Sequence, residues 1–192
     1  MNRFLFALVF LPAATAACGN DRTAPAPASA NRDLTSTAPD IQVCDDCGVC
    51  EEAIPVKSAN HVEGPIQYPD PPPSSGDHNP CWAIWGIHTD AVPAERWVHN
   101  LEHGGIVFLY NCPDGCGSDA TAIAQITDLV GRRQLALITP YSGMSQKFAV
   151  VSWGHRLVSA CVDPQAAAAF YAVHVGRGPE AITDNPDPSC DP

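Results

Sequence analysis

The run Ile-Val-Phe-Leu-Tyr at residues 106–110 constrains this chain more than any other stretch. It is bounded by Gly104–Gly105 before it and Asn111–Cys112–Pro113 after it. Large apolar side chains in succession leave no polar face, so a strand over residues 105–110 must be covered on both sides. That places it in the middle of a sheet. Residues 135–139, closed by Pro140, and residues 148–153, after a Ser142–Gly143 turn, read as two further strands. Residues 82–87 (WAIWGI) read as a short buried strand. Ser118–Asp119 caps a helix over residues 120–131, where Ile123, Ile126, Leu129 and Val130 recur at helical spacing and Gly131 is the stop. Asp163 and Pro164 start a second helix that ends near Gly176. Residues 94–98 are too short to classify. This order predicts an α+β domain: a small mixed β-sheet with helices on one face, an extended proline-rich N-terminal half, and cysteine staples.

Residues 1–17 are expected to stand outside that domain. Arg3 and the apolar run from Phe4 to Leu11 have the charge and length of a signal peptide, and the run is too short to span a bilayer as a helix. Ala16–Ala17–Cys18–Gly19 fits bacterial lipoprotein processing, in which Cys18 becomes the acylated N-terminus. Plain secretion after Ala16 or Ala17 is the other reading. Residues 18–40 are rich in Ala, Pro, Ser and Thr, the composition of a disordered tether. Residues 41–192 suffice for a single globular domain with its own core. The expected location is the bacterial cell envelope, membrane-anchored through Cys18 or else periplasmic or secreted. The chain carries a formal net charge of −11, one unit more negative once Arg3 leaves with the leader. Its few lysines and arginines are scattered, which argues against nucleic acid as a partner.

With Cys18 set aside, the cysteines are Cys44, Cys47, Cys50, Cys81, Cys112, Cys116, Cys161 and Cys190. An even number in an exported chain reads as disulfides, with a connectivity that spacing cannot settle. The rival is a zinc site from Cys44/Cys47 and Cys112/Cys116. A redox pair at Cys44/Cys47 lacks the strand and helix that normally flank one.

The chemistry concentrates in PPPSSGDHNPCW (residues 71–82) and VHNLEHGG (residues 98–105). As a helix, His99–Asn100–Leu101–Glu102–His103 is the HxxEH pattern of a zinc-dependent hydrolase, with Glu102 as general base. Gly104–Gly105 stops any such helix at once, which favours an extended segment instead. His99 and His103 then share one side, and His78 from the SGDH turn joins them in a three-imidazole metal site. Glu102 orients a ligating ring from the second shell. Copper is preferred over zinc, since imidazole-rich sites with open positions suit it. A helix over residues 97–103 would favour the hydrolase, and histidines that fail to converge would favour a structural or interaction module of the envelope. His61 and His88 read as surface residues, His155 has no motif, and His174 reads as packing.

His61–Val62, the tyrosine–proline segment ending in PPPSSGDH, VHNLEHGGIVFLYNCP (residues 98–113), VVSWG (residues 150–154) and GPE (residues 178–180) occur in an order that resembles the bacterial domain-of-unknown-function family 3105. The resemblance covers about residues 58–181. It implies an exported or membrane-anchored protein without an agreed activity, and it supports His78, His99, Glu102 and His103 as the site. This chain has Pro-Ser-Ser-Gly-Asp-His where the family tends to have Pro-Thr-Ser-Gly-Pro-His. The cysteine-rich residues 43–52 look like an addition to the family pattern, so no role carries over to them.

Overall fold

The computed structural model describes residues 50–187 and Cys190. The chain divides into two units, residues 1–36 and 37–192, and every described residue belongs to the second. The expected signal peptide, the expected lipidation site Cys18, the whole of the expected tether, Cys44 and Cys47 lie outside the described residues. In chain order the elements are β1 (Cys50–Ala53), β2 (Gly86–Ile87), α1 (Ala94–Glu102), β3 (Ile106–Tyr110), a 3-10 turn (Gly117–Asp119), α2 (Ala120–Val130), β4 (Ala136–Pro140), β5 (Phe148–Ser152), β6 (His155–Ser159) and α3 (Pro164–His174).

The strands form one mixed six-stranded sheet in the order β1-β6-β5-β3-β4-β2. The β3–β4 and β2–β4 pairs are parallel, and the others are antiparallel. The apolar run 106–110 occupies the middle, as its composition requires. Its alternate residues serve two cores. Ile106 and Phe108 join Ile138, Phe148, Val150 and Leu157 beneath Ile126 and Val130 of α2 and Ala167 and Phe170 of α3. Val107 and Leu109 join Leu137, Ala149 and Val151 on the opposite face, against Trp97, Val98 and Leu101 of α1. The two expected helices share one face, and the other is covered by α1. Asp163 caps α3 by accepting from the backbone N–H groups of Gln165 and Ala166.

Three local expectations change. Residues 98–103 are not extended: α1 runs to Glu102, with His103 at its C-cap. The glycines that seemed to forbid a helix are what close it. Gly104 has a left-handed φ of 82°, its N–H donates to Leu101 O at 2.9 Å, and the N–H of Gly105 donates to Asn100 O at 2.8 Å. These two bonds make a Schellman cap, which satisfies carbonyls that would otherwise be orphaned. In the WAIWGI stretch only Gly86–Ile87 is strand. The Ala83 backbone is occupied by Asn100, whose Oδ1 accepts from Ala83 N at 2.8 Å and whose Nδ2 donates to Ala83 O at 2.9 Å. Lastly, β1 and β6 are strands where none was expected. Their pairing leaves Arg156 1 % exposed, held by ion pairs of 3.1 Å to Glu52 of β1 and to Asp70 of the proline segment.

The six described cysteines are oxidised. Cys81 pairs with Cys190 across a sequence separation of 109, and Cys112 with Cys116 across a separation of 4. Cys50 and Cys161 are also disulfide-bonded. A zinc site that used the Cys112 and Cys116 thiolates is thereby ruled out in the oxidised protein. Titration of the denatured, unreduced protein with a thiol reagent should find almost no free thiol among these six. Two or more reactive thiols mapped to them would contradict the pairing.

Candidate metal centre

Three segments bring their side chains together on the α1 side of the sheet. The first two are joined by an isolated parallel bridge between His61 and His78, in which Val62 N donates to His78 O at 2.8 Å and His78 N donates to Asn60 O at 3.0 Å. This fastens the proline-rich half beside α1. The loop between the two is held from inside. Tyr68 Oη donates to Asp77 O at 2.7 Å, and the buried Ser75 accepts Lys57 N at 3.0 Å through its Oγ. Burial, together with Glu95 and Asp77 nearby, raises the Tyr68 pKa and keeps its phenol a donor. Helix α1 supplies His99 and Glu102, three residues apart on one face.

The backbone selects the tautomer of three rings. Nδ1 of His78 lies 2.8 Å from Gly76 O, Nδ1 of His99 lies 2.7 Å from Asn79 O, and Nδ1 of His103 lies 3.1 Å from Glu180 O. A carbonyl oxygen can only accept, so each Nδ1 is the donor. In each neutral ring Nε2 is left with its lone pair, the arrangement found in metal-ligating histidines.

Two of those atoms, Nε2 of His78 and Nε2 of His99, converge with His61 and Glu102. Nε2 of His78 is 2.9 Å from Oε2 of Glu102, which is also 3.8 Å from Nε2 of His61 and 4.0 Å from Nε2 of His99. One ligand atom from each of His61, His78, His99 and Glu102 falls within 4.8 Å of all the others. The 2.9 Å approach of His78 to Glu102 lacks the alignment of a hydrogen bond, and both atoms are buried without a hydrogen-bond partner. Unpartnered polar atoms in a protein interior are costly and rare. Two acceptors facing each other at this distance are spaced like neighbouring ligands of an ion bound at about 2.0–2.2 Å. This set of residues could hold a metal ion.

Burial sorts the members. His78, His99 and Glu102 are 0 %, 2 % and 4 % exposed, whereas the His61 side chain is 49 % exposed and forms the outer wall. Burial pushes the pKa of His99 down to about 4. The bond to Asn79 opposes this, and the imidazoles of His78, His103 and His61 add to it. His99 is therefore neutral, ready to donate its lone pair, across the physiological range.

His78 and His99 meet as the sequence suggests. His103 stands beside His99, with its Nε2 3.0 Å from that of His99, but outside the group of four. Trp82 stands edge-on to both rings, with centroids at 5.3 Å from His99 and 4.9 Å from His103. Glu102, expected to orient a ring from behind, instead turns its carboxylate into the cluster. His61 was read as a surface residue, and the structure places it in the group. The hint was its position at the head of the motif series that ends in SGDH. His155 and His174 lie elsewhere, beside Glu51.

The segment after α3 closes this end of α1. Gly176 N donates to Gly104 O, Glu180 N to Glu102 O and Ile182 N to His103 O. Gly178 packs so tightly there that a Cβ would collide with Glu102 O and Gly104 N.

No curated protein and no solved structure matches this chain. Residues 61–187 match the family described as "Protein of unknown function (DUF3105)". That span runs from the His61 bridge through the closing segment, and the protein belongs to this family.

Proposed function

We propose that this protein is an exported, lipid-anchored envelope domain that binds one copper(II) or zinc ion through His61, His78, His99 and Glu102. The observation that carries the reading is the buried pair His78 Nε2 and Glu102 Oε2, two acceptors in close approach with no donor between them. Three imidazoles and a carboxylate suit either ion, and affinity generally favours copper(II). His61, on the exposed side, gives the ion its way in from solvent. The signal-peptide pattern and Cys18 support the anchor. Cys18→Ser should move the protein from the membrane fraction to the soluble periplasmic or secreted fraction, whereas unchanged partitioning would refute acylation.

Competition titration of the oxidised protein against a chromophoric chelator tests the metal reading. The expected result is a tight equivalent of copper or zinc that is lost in His78→Ala and His99→Ala. Failure of the wild type to bind either ion at micromolar concentration overturns it. The pH dependence follows from His99. Its pKa in the folded state lies below that of an unfolded imidazole, near 6.5, so the unfolded chain takes up the proton first. The stability that neutral His99 contributes is complete above about pH 6.5 and is lost as pH falls toward about 4. The melting temperature of the metal-free protein should fall over that window, and a metal-loaded sample should resist the fall at its upper end.

A hydrolase reading gains one observation, since His99 and Glu102 do sit on a helix. It requires Glu102 to face a bound water rather than His78. Under that reading Glu102→Gln keeps the metal and abolishes hydrolysis of a peptide or ester. Under the binding reading the same substitution loses the metal.

A further inference from the structure

We infer that Glu51, His155 and His174 form a second, open site for a divalent transition-metal ion, on the opposite face of the sheet from the first. In the β1–β6 ladder Glu51 is paired with Leu157 and Ala53 with His155. Side chains alternate along a strand, so Glu51, His155 and Leu157 share a face. Leu157 packs into the core beneath α2 and α3, which fixes that face as the one α3 covers. His174 is the last residue of α3 and comes down over the same corner, its ring 4.3 Å from that of Phe170.

The atoms meet at ligand distances. Oε1 of Glu51 is 2.8 Å from Nε2 of His174 and 3.9 Å from Nδ1 of His155. The two imidazoles lie 4.5 Å apart, tilted by 36°, and one ligand atom from each of the three residues falls within 4.8 Å of the others. The Glu51–His174 hydrogen bond alone would be a strut between β1 and α3. It gives no reason for a second imidazole to be held against the first, an arrangement that two protonated rings would resist. A cation accounts for both rings and the carboxylate together. The carbonyl end of α3 carries the negative pole of the helix dipole, which also favours positive charge there.

Two histidines and one glutamate are the protein ligands of an open zinc site, with a coordination position left for water or an incoming group. Glu51 and His155 have side chains 46 % and 39 % exposed, so an ion reaches the site directly from solvent and leaves readily. The expected affinity is therefore below that of the buried four-residue site. Glu51 lies outside residues 61–187, while His155 and His174 lie inside them. The added edge strand is thus what completes the second site.

Equilibrium dialysis of the oxidised full-length protein against zinc, with bound metal counted per chain, tests the inference. The wild type should bind two equivalents, the second more weakly. Glu51→Gln and His155→Ala change half-exposed residues, so folding should survive, and melting curves check that it does. Each should lose the weaker equivalent and keep the tighter one, and His78→Ala should do the reverse. Cobalt(II) bound to His78→Ala should show a visible absorption band that disappears when His155→Ala is added. A weak equivalent that survives both Glu51→Gln and His155→Ala, or a wild type that binds only the ion lost with His78→Ala, overturns the second site. If His78→Ala changes nothing while His155→Ala removes an ion, the first site fails and the second stands.

Discussion

Glu102→Gln should make the metal-free protein more stable while lowering its affinity for copper or zinc at least about a hundred-fold. The substitution keeps the shape of the side chain and gives it an N–H group to offer. That donor faces His78 Nε2, a buried atom 2.9 Å from Glu102 Oε2 and without a hydrogen-bond partner. A buried unsatisfied polar atom costs about 1–3 kcal/mol. Recovering about 1 kcal/mol should raise the melting temperature by about 2–4 °C in a chain of this size. The loss of affinity should exceed the about 10–100-fold that follows from removing an outer-shell partner, because here a ligand atom is removed. Paired melting curves in chelator and in excess metal check both halves. A metal-free variant that melts lower than the wild type, or one that still binds metal as tightly, would show that Glu102 is a structural carboxylate.

Gly178→Ala should cause the largest loss of stability of any single methyl addition among the described residues. The backbone there is not left-handed, so the argument is steric. A Cβ collides with the Glu102 carbonyl oxygen and the Gly104 amide nitrogen, and backbone atoms cannot swing aside as a side chain can. Overpacking usually costs about 1–3 kcal/mol, and the upper end applies where nothing can yield. That corresponds to a fall in melting temperature of about 6–12 °C. Gly131→Ala is the control. Its Cβ would meet nothing closer than 3.5 Å, and its φ of −60° is helical. A Gly178→Ala protein that melts with the wild type would mean that the closing segment is not seated on α1.

What the sequence reveals here depends on whether a residue's partners are near it in the chain. The apolar run 106–110 announces a central strand because its own side chains state the burial; α2 carries its periodicity and α3 its cap within itself, whereas the cap expected at Ser118–Asp119 does not form, since the Asp119 carboxylate pairs with Lys147. Strand β6 does not. Arg156 makes residues 155–159 look half-exposed, and only Glu52 and Asp70, both distant in sequence, make its burial affordable. Helix α1 was hidden for another reason: a stop signal was read as a prohibition, when Gly104 only dates the end of a nine-residue helix. Two of the four clustered residues, His78 and His99, were legible as candidate ligands, and Glu102 was legible as their neighbour. His61 was not, because it reaches the group through a bridge to His78 that no local pattern encodes.

The closing segment has a consequence for the order of assembly. The carbonyl that orients His103 belongs to Glu180, and the disulfide partner of Cys81, two residues beyond Asn79 whose carbonyl orients His99, is Cys190. The proposed ligands come from residues 61–102, yet part of the backbone that frames them is contributed by residues synthesised well after them. A nascent chain holding every proposed ligand would still lack the far side of the frame. On the proposed metal reading, capture of an ion in the final geometry waits for the whole chain to emerge and for Cys81 to be joined to Cys190.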